Sequence, residues 1–287
     1  MIITNKHGVP EPLVTLAKKQ YYNKGKSDFT ATEVMAPPKI KRLREQYDDL
    51  IEVDVTDMMW SMFGSALHVV MERGETDGWL KEERVFTEID GVTLSGQIDL
   101  QQETPEGIII HDYKVTKAWA VMKNKEEWHQ QLNFYKWLVE TVKKKKVVGL
   151  KICAFVRDFN KFDTREGYPP SEITVLDVPV WDSVKTEVYI RERLNAHRDA
   201  KVAADLGYEL PDCTDEERWQ SETVYAVKRE GRKTAIKLFK SIDEANELAV
   251  KEKGYVETRQ GEPVRCTGNY CYVAPWCKQY QESIEHP

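Results

Sequence analysis

The segment that most constrains this chain is Asp112-Tyr113-Lys114, which closes the apolar run Ile108-Ile109-Ile110 thirteen residues after Asp99. A carboxylate and an amine two residues apart on a strand point to the same side of a sheet. Asp99 ends its own strand-like segment, Thr93 to Asp99, and the stretch Gln102 to Gly107, with Pro105, reads as a turn. With Asp99 opposite Ile110 in the resulting hairpin, Asp112 becomes its diagonal neighbour on one face. Such diagonals lie roughly 7–8 Å apart, near enough for two carboxylates to share a cation. A slip of one residue would put the aspartates on opposite faces.

Two acidic groups on one strand face repel unless a cation lies between them, and a few hard oxygen ligands suit magnesium or manganese. A lysine beside that cation can neutralise a phosphate oxygen or help deprotonate an attacking water. The bland alternative is a surface hairpin with Asp and Lys facing solvent. The flanks separate the two. Trp60 to Glu72 reads as an amphipathic helix with Gly64 and His68 one turn apart. Trp128 to Val139 reads as a second helix, with Gln131 and Tyr135 sharing a face and offering an amide and a phenol.

In this order and spacing, Gly64-x-x-x-His68, Gly96-x-x-Asp99, Asp112-Tyr113-Lys114 and Gln131-Leu132-x-x-Tyr135 resemble the RecB-like branch of the PD-(D/E)XK nuclease superfamily. The match covers roughly residues 30–158. The resemblance implies His68, Asp99 and Asp112 as metal ligands, with the Tyr113 carbonyl completing the shell. It implies Lys114 as the catalytic lysine, and Gln131 and Tyr135 as groups that position DNA or that lysine. Glu88, on the strand before Asp99, is a weaker candidate for a second ion. The likeness is greatest to phage and prophage exonucleases, related to lambda exonuclease and the CRISPR adaptation nucleases, which often accompany single-strand annealing proteins.

The expected fold is α/β: a restriction-endonuclease-like core, with a central mixed β-sheet flanked by helices, and a small C-terminal cysteine-containing α+β extension. The expected organisation is a helical leading segment (1–55), the nuclease core (56–206) and a C-terminal part (207–287). In the last part, Glu222 to Phe239 reads as a two-stranded hairpin, and Ser241 begins a capped helix. No apolar stretch approaches the ~20 residues of a membrane span, and the N-terminus lacks a secretory hydrophobic core, so a cytoplasmic location is expected, the host cytoplasm if the chain is phage-encoded. The net charge of −6 excludes a strongly basic nucleic-acid coat, although local basic runs exist at 39–44, 143–146 and 228–233.

Five cysteines in a cytosolic chain point away from structural disulfides. Cys153 lies in an apolar strand as a small hydrophobe. Cys266, Cys271 and Cys277 cluster near the C-terminus; with Cys213 they can form a four-thiolate site for an iron–sulfur cluster or zinc, or remain free thiols. Several RecB-like nucleases carry a cysteine-ligated 4Fe–4S cluster, which favours iron–sulfur here. In the best-known members the first ligand precedes the catalytic core; here no cysteine precedes Cys153, so Cys213 would take that role.

The expected activity is a Mg²⁺- or Mn²⁺-dependent deoxyribonuclease, an exonuclease processing DNA ends in phage recombination or repair by attack of activated water on the phosphodiester. DNA is the expected partner, with an annealing protein as a possible second. The alternatives are a structure-selective endonuclease and a catalytically silent DNA-binding protein on the same fold.

Overall fold

The computed structural model describes residues 1–19 and 24–285; the part of the leading segment at 20–23 lies outside the described residues. The chain divides into two compact units, 1–36 with 52–201, and 37–51 with 202–287. In chain order the first unit has β1 (Ile2–Thr4), α1 (Glu11–Lys18), β2 (Phe29–Thr30) and α2 (Ala31–Met35). The helix α3 (Pro38–Tyr47) belongs to the second unit. The first then resumes with β3 (Glu52–Asp54), α4 (Met59–Met71), β4 (Trp79–Ile89), β5 (Val92–Thr104) and β6 (Gly107–Thr116). It continues through α5 (Ala118–Lys123), α6 (Glu126–Lys143), β7 (Val147–Val156), β8 (Ile173–Asp177) and most of α7 (Ser183–Asp205), whose residues from Val202 on belong to the second unit.

A six-stranded mixed sheet forms the frame, with strand order β2-β5-β6-β7-β8 and β4 paired to β5. Asp90 and Gly91 both have positive φ (52° and 75°), the backbone a two-residue hairpin turn needs to join β4 to β5. The pairing of β6 with β7 is parallel, and α5 and α6 make the crossover between them. Helix α6 fills one face of the sheet: Leu132, Phe134, Leu138 and Val139 are fully buried and cluster with Leu94, Ile98, Ile108, Ile110, Leu150 and Ile152. Gly96 is the closest approach, since a Cβ there would lie 2.7 Å from Leu138 Cδ1 and 2.9 Å from the Tyr135 ring.

One edge of β5 is paired by β4 from Val92 to Gln102. The other edge is shared: β2 pairs Leu94 and Ser95, and β6 pairs Leu100 to Thr104. Between them Gly96 to Asp99 have no ladder partner on that edge, and the strands part. The hairpin differs from the sequence expectation. Gln102 to Thr104 extend β5, only Pro105 and Glu106 make the turn, and Ile110 faces Gln101 rather than Asp99. One step beyond the last pair, Leu100 with His111, brings Asp99 abreast of Asp112 rather than diagonal to it.

The side-chain alternation also slips. Gly96 and Gln101, five apart, would face opposite ways on a regular strand, yet Gly96 abuts α6 while Gln101 Oε1 accepts from Lys143 of the same helix. The irregularity falls where Glu82 on β4, with φ 49°, lies across from Asp99 and the ladder skips a pair.

In the second unit, besides α3, are α8 (Asp215–Arg218), β9 (Val224–Lys228), β10 (Lys237–Phe239), α9 (Ile242–Lys251), β11 (Tyr255–Arg259), α10 (Val264–Thr267) and α11 (Lys278–Glu285). The hairpin β9–β10 and the strand β11 form an antiparallel sheet, and α9, capped by Ser241, covers it through Val227, Ala245 and Ala249. No helix among the described residues is long and apolar enough to cross a membrane.

Candidate active site

The gap between β5 and β6 is where the sequence-predicted residues meet. Asp99 is 7% exposed, and its Oδ2 accepts from the Tyr113 amide at 2.8 Å, replacing the ladder bond lost at the gap. Asp112 is 1% exposed, and its Oδ2 lies 2.6 Å from Lys114 Nζ, the two being on one face of β6 as their spacing requires. Lys114 Nζ also donates to Gln131 Oε1 at 2.9 Å, and Gln131 Nε2 donates to Tyr135 Oη at 2.8 Å. One turn of α6 thus holds the amide that holds the lysine, and the missing side chain of Gly96 makes room for the Tyr135 ring. The two glutamine contacts fix the ammonium beside Asp112, so Lys114 is aimed rather than free to swing.

His68 comes from α4. Its Nδ1 is 3.0 Å from Glu82 Oε1 and 3.6 Å from Asp99 Oδ1. Among the described residues, His68, Glu82 and Asp99 are the one group of three His, Cys, Asp or Glu whose ligand atoms all lie within 4.8 Å of one another. Glu82 is held in turn: Gln97 Nε2 donates to Glu82 Oε2 at 2.7 Å, and Arg84 Nη2 donates to Gln97 Oε1 at 2.6 Å. The Tyr113 ring meets His68 edge-on at 6.1 Å.

Sequence reasoning missed Glu82 and proposed Glu88, which is exposed on β4 opposite Thr93, away from the cluster. The signal for Glu82 is the pairing of β4 with β5, which no motif in the sequence reveals. Its left-handed backbone, unfavourable for a side chain of this size, is a local strain of the kind that gathers at functional positions.

Electrostatics follow from crowding. Burial, and then the charge of Asp112, push the Asp99 carboxyl up to about 8. The hydrogen bond with Glu82 raises His68, with Asp99 adding to it. Without a cation Asp99 therefore retains its proton at neutral pH. A divalent ion relieves the same repulsion, and two carboxylates with an imidazole form a donor set such an ion accepts. His68, Glu82 and Asp99 fit this role, with Asp112 beside them.

The second unit gathers the other predicted set. Cys213, Cys266, Cys271 and Cys277 line one cavity with Lys39, Arg218 and Arg265. All four are free thiols, and burial raises three of them, Cys213 to about 12 and Cys266 and Cys271 in the same direction. Cys153 lies apart on β7.

A six-stranded mixed sheet with helices on it, carrying paired aspartates and a lysine where two strands part, defines a nuclease of the restriction-endonuclease-like class. The comparison with protein families agrees: residues 38–278 match the model of the PD-(D/E)XK nuclease superfamily, and the chain belongs to that superfamily. Its members are phosphodiester hydrolases that use divalent metals. No curated protein matches the chain. Several solved structures resemble it remotely, SSO0001 and a Eubacterium rectale protein among them. SSO0001 is 14% identical, with 64% of this chain and 84% of that one covered at a TM-score of 0.46. The Eubacterium rectale protein, described as a "putative exonuclease", is 12% identical, with 68% and 73% covered at 0.28. At that distance neither bears on the site.

Proposed function

We propose that this nuclease is a Mg²⁺- or Mn²⁺-dependent exonuclease that degrades DNA from its ends. The observation that carries the reading is the joint placement of the His68–Glu82–Asp99 cluster and the Asp112–Lys114–Gln131 chain at one parting of strands. A hard divalent ion held there would polarise the scissile phosphate and lower the pKa of the attacking water. His68, Glu82 and Asp99 would hold it, with Asp112 and the Tyr113 carbonyl as further oxygen donors. The imidazole among carboxylates favours Mn²⁺ over Mg²⁺. Lys114, steadied by Gln131 and Tyr135, supplies a fixed positive charge for a phosphate oxygen or relays the proton from the attacking water. Processing of ends for phage recombination or repair, beside a single-strand annealing protein, accords with this chemistry.

The four cysteines are proposed to ligate a 4Fe–4S cluster that ties Cys213 to the segment 266–277. One feature supports iron–sulfur over zinc: the sulfurs form no group of three within 4.8 Å among the described residues, whereas zinc–sulfur bonds of ~2.3 Å in a tetrahedron bring them to about 3.8 Å. Lys39, Arg218 and Arg265 also line the cavity, and cations beside it suit any four-thiolate site that is left negatively charged, whichever metal it holds.

The deciding experiment is a time course on end-labelled linear DNA, single- and double-stranded, beside covalently closed circles, with Mg²⁺ or Mn²⁺. Linear substrate is consumed from its ends and circles persist. Degradation of circles at the same rate overturns the exonuclease reading, and full activity of Asp112→Ala overturns the site. A brown protein with bound iron after anaerobic purification is expected; colourless protein with stoichiometric zinc refutes the cluster.

A further inference from the structure

Helix α4 carries His68 into the metal cluster, yet none of its residues is buried. Trp60 is 44% and Phe63 56% exposed, with their rings 5.8 Å apart. Single exposed apolar residues are ordinary; an aromatic pair on the helix that supplies a catalytic-site ligand is not. The guanidinium of Arg157, which follows the last residue of β7, lies over the Trp60 ring at 3.8 Å, and Arg157 has no carboxylate partner among the described residues. Trp60, Gly64 and His68 are spaced by four, so they form one stripe along the helix. In the middle of that stripe a Cβ on Gly64 would meet nothing within 4 Å, so the backbone there is a bare, open floor. The eight helical steps from Trp60 to His68 rise about 12 Å, the length of a few nucleotides.

We propose that Trp60, backed by Arg157, is a stacking platform for an unpaired base, and that the strand carrying it runs over Gly64 to the His68–Glu82–Asp99 cluster. This rests on the nuclease reading and narrows its substrate to a strand that is single, or frayed from its partner, at the point of cleavage. An aromatic face takes any base, the guanidinium on its far side keeps a cation near the phosphates, and the absent side chain at Gly64 admits the backbone. A protein partner would have use for the apolar face, but not for a cation and a bare glycine aligned with a phosphate-cleaving centre.

The test measures binding in EDTA, at fixed ionic strength, of a single-stranded oligonucleotide and of a duplex with both ends closed by loops. Single-turnover cleavage with Mn²⁺ then uses strands carrying one abasic nucleotide at successive positions. Trp60→Ala is expected to weaken single-strand binding about tenfold, while Trp60→Phe stays near wild type and the closed duplex is unaffected. Wild type should slow when the abasic position falls on the platform, and Trp60→Ala should lose that sensitivity. Gly64→Leu, whose Cβ meets nothing within 4 Å, should keep its melting temperature and lose single-strand binding at least as much. Unchanged binding by both variants overturns the proposal, as do equal losses on both substrates or a dimer that these variants dissociate. Wild-type protein that cleaves no DNA with either metal sinks the nuclease reading instead.

Discussion

Asp99→Asn tests the electrostatic logic of the site most directly. In metal-free protein the Asp99 carboxyl is held near 8 rather than 3.8, first by burial and then by Asp112. A carboxyl raised in the folded state binds a proton that the unfolded chain has already lost. Its contribution is therefore fully present below the unfolded value of 3.8 and is lost as pH rises towards about 8. At ~1.4 kcal/mol per pH unit this interval sets an upper bound of about 6 kcal/mol, part of it shared with His68. Asparagine keeps an oxygen for the Tyr113 amide and removes the charge. In EDTA near pH 8 the variant should be more stable than wild type by about 2 kcal/mol, or about 4–8 °C in melting temperature. Saturating Mn²⁺ should reverse the order, since it stabilises wild type by about 2.7 kcal/mol at a hundred times its dissociation constant and the variant hardly at all. Thermal melts at several pH values, with and without metal, read both effects. A variant less stable than wild type in EDTA near pH 8, or one stabilised by Mn²⁺ as much as wild type, refutes the reasoning.

Glu82→Gln should weaken metal binding about 10- to 100-fold in titration calorimetry while leaving the fold intact; unaltered affinity removes Glu82 from the site. Gly96→Ala should destabilise by about 1–3 kcal/mol in urea denaturation, because its methyl group would overlap Leu138 and Tyr135; a neutral result means α6 has room to move. Activity at sub-saturating Mn²⁺ should rise with pH up to about 8, as protons cease to compete for Asp99, and a flat profile from pH 6 upward contradicts the raised carboxyl. Cys213→Ser should lose the visible absorption and iron content of anaerobically purified protein, and undiminished iron excludes Cys213 as a ligand.

Much of the architecture was legible because it rests on local signals. The apolar run Val147 to Val156 is β7, the serine at 241 caps its helix, and the i, i+2 relation of Asp112 to Lys114 survives in a 2.6 Å ion pair. The register was not legible. Alternation places Asp99 by counting along β5, but the count breaks where β4 and β5 are irregular together, between Gly96 and Gln101. A period-two argument cannot foresee its own interruption. Glu82 was hidden for the same reason, since its partnership with His68 exists only once β4 is laid against β5. The short strands β1 to β3 left no pattern long enough to read.

The second unit is discontinuous, with α3 contributed from a stretch that precedes most of the sheet of the first. During synthesis Lys39 and Leu43 leave the ribosome long before Cys213, Cys266, Cys271 and Cys277, the thiols whose cavity they help to wall. The sheet carrying the aspartates can close while α3 still waits for its companions, so the cavity lined by the thiols is completed late in biogenesis. Trimming the chain after α7 would not excise a self-contained appendage; it would strand α3 and bare the buried stem of Lys39 to water.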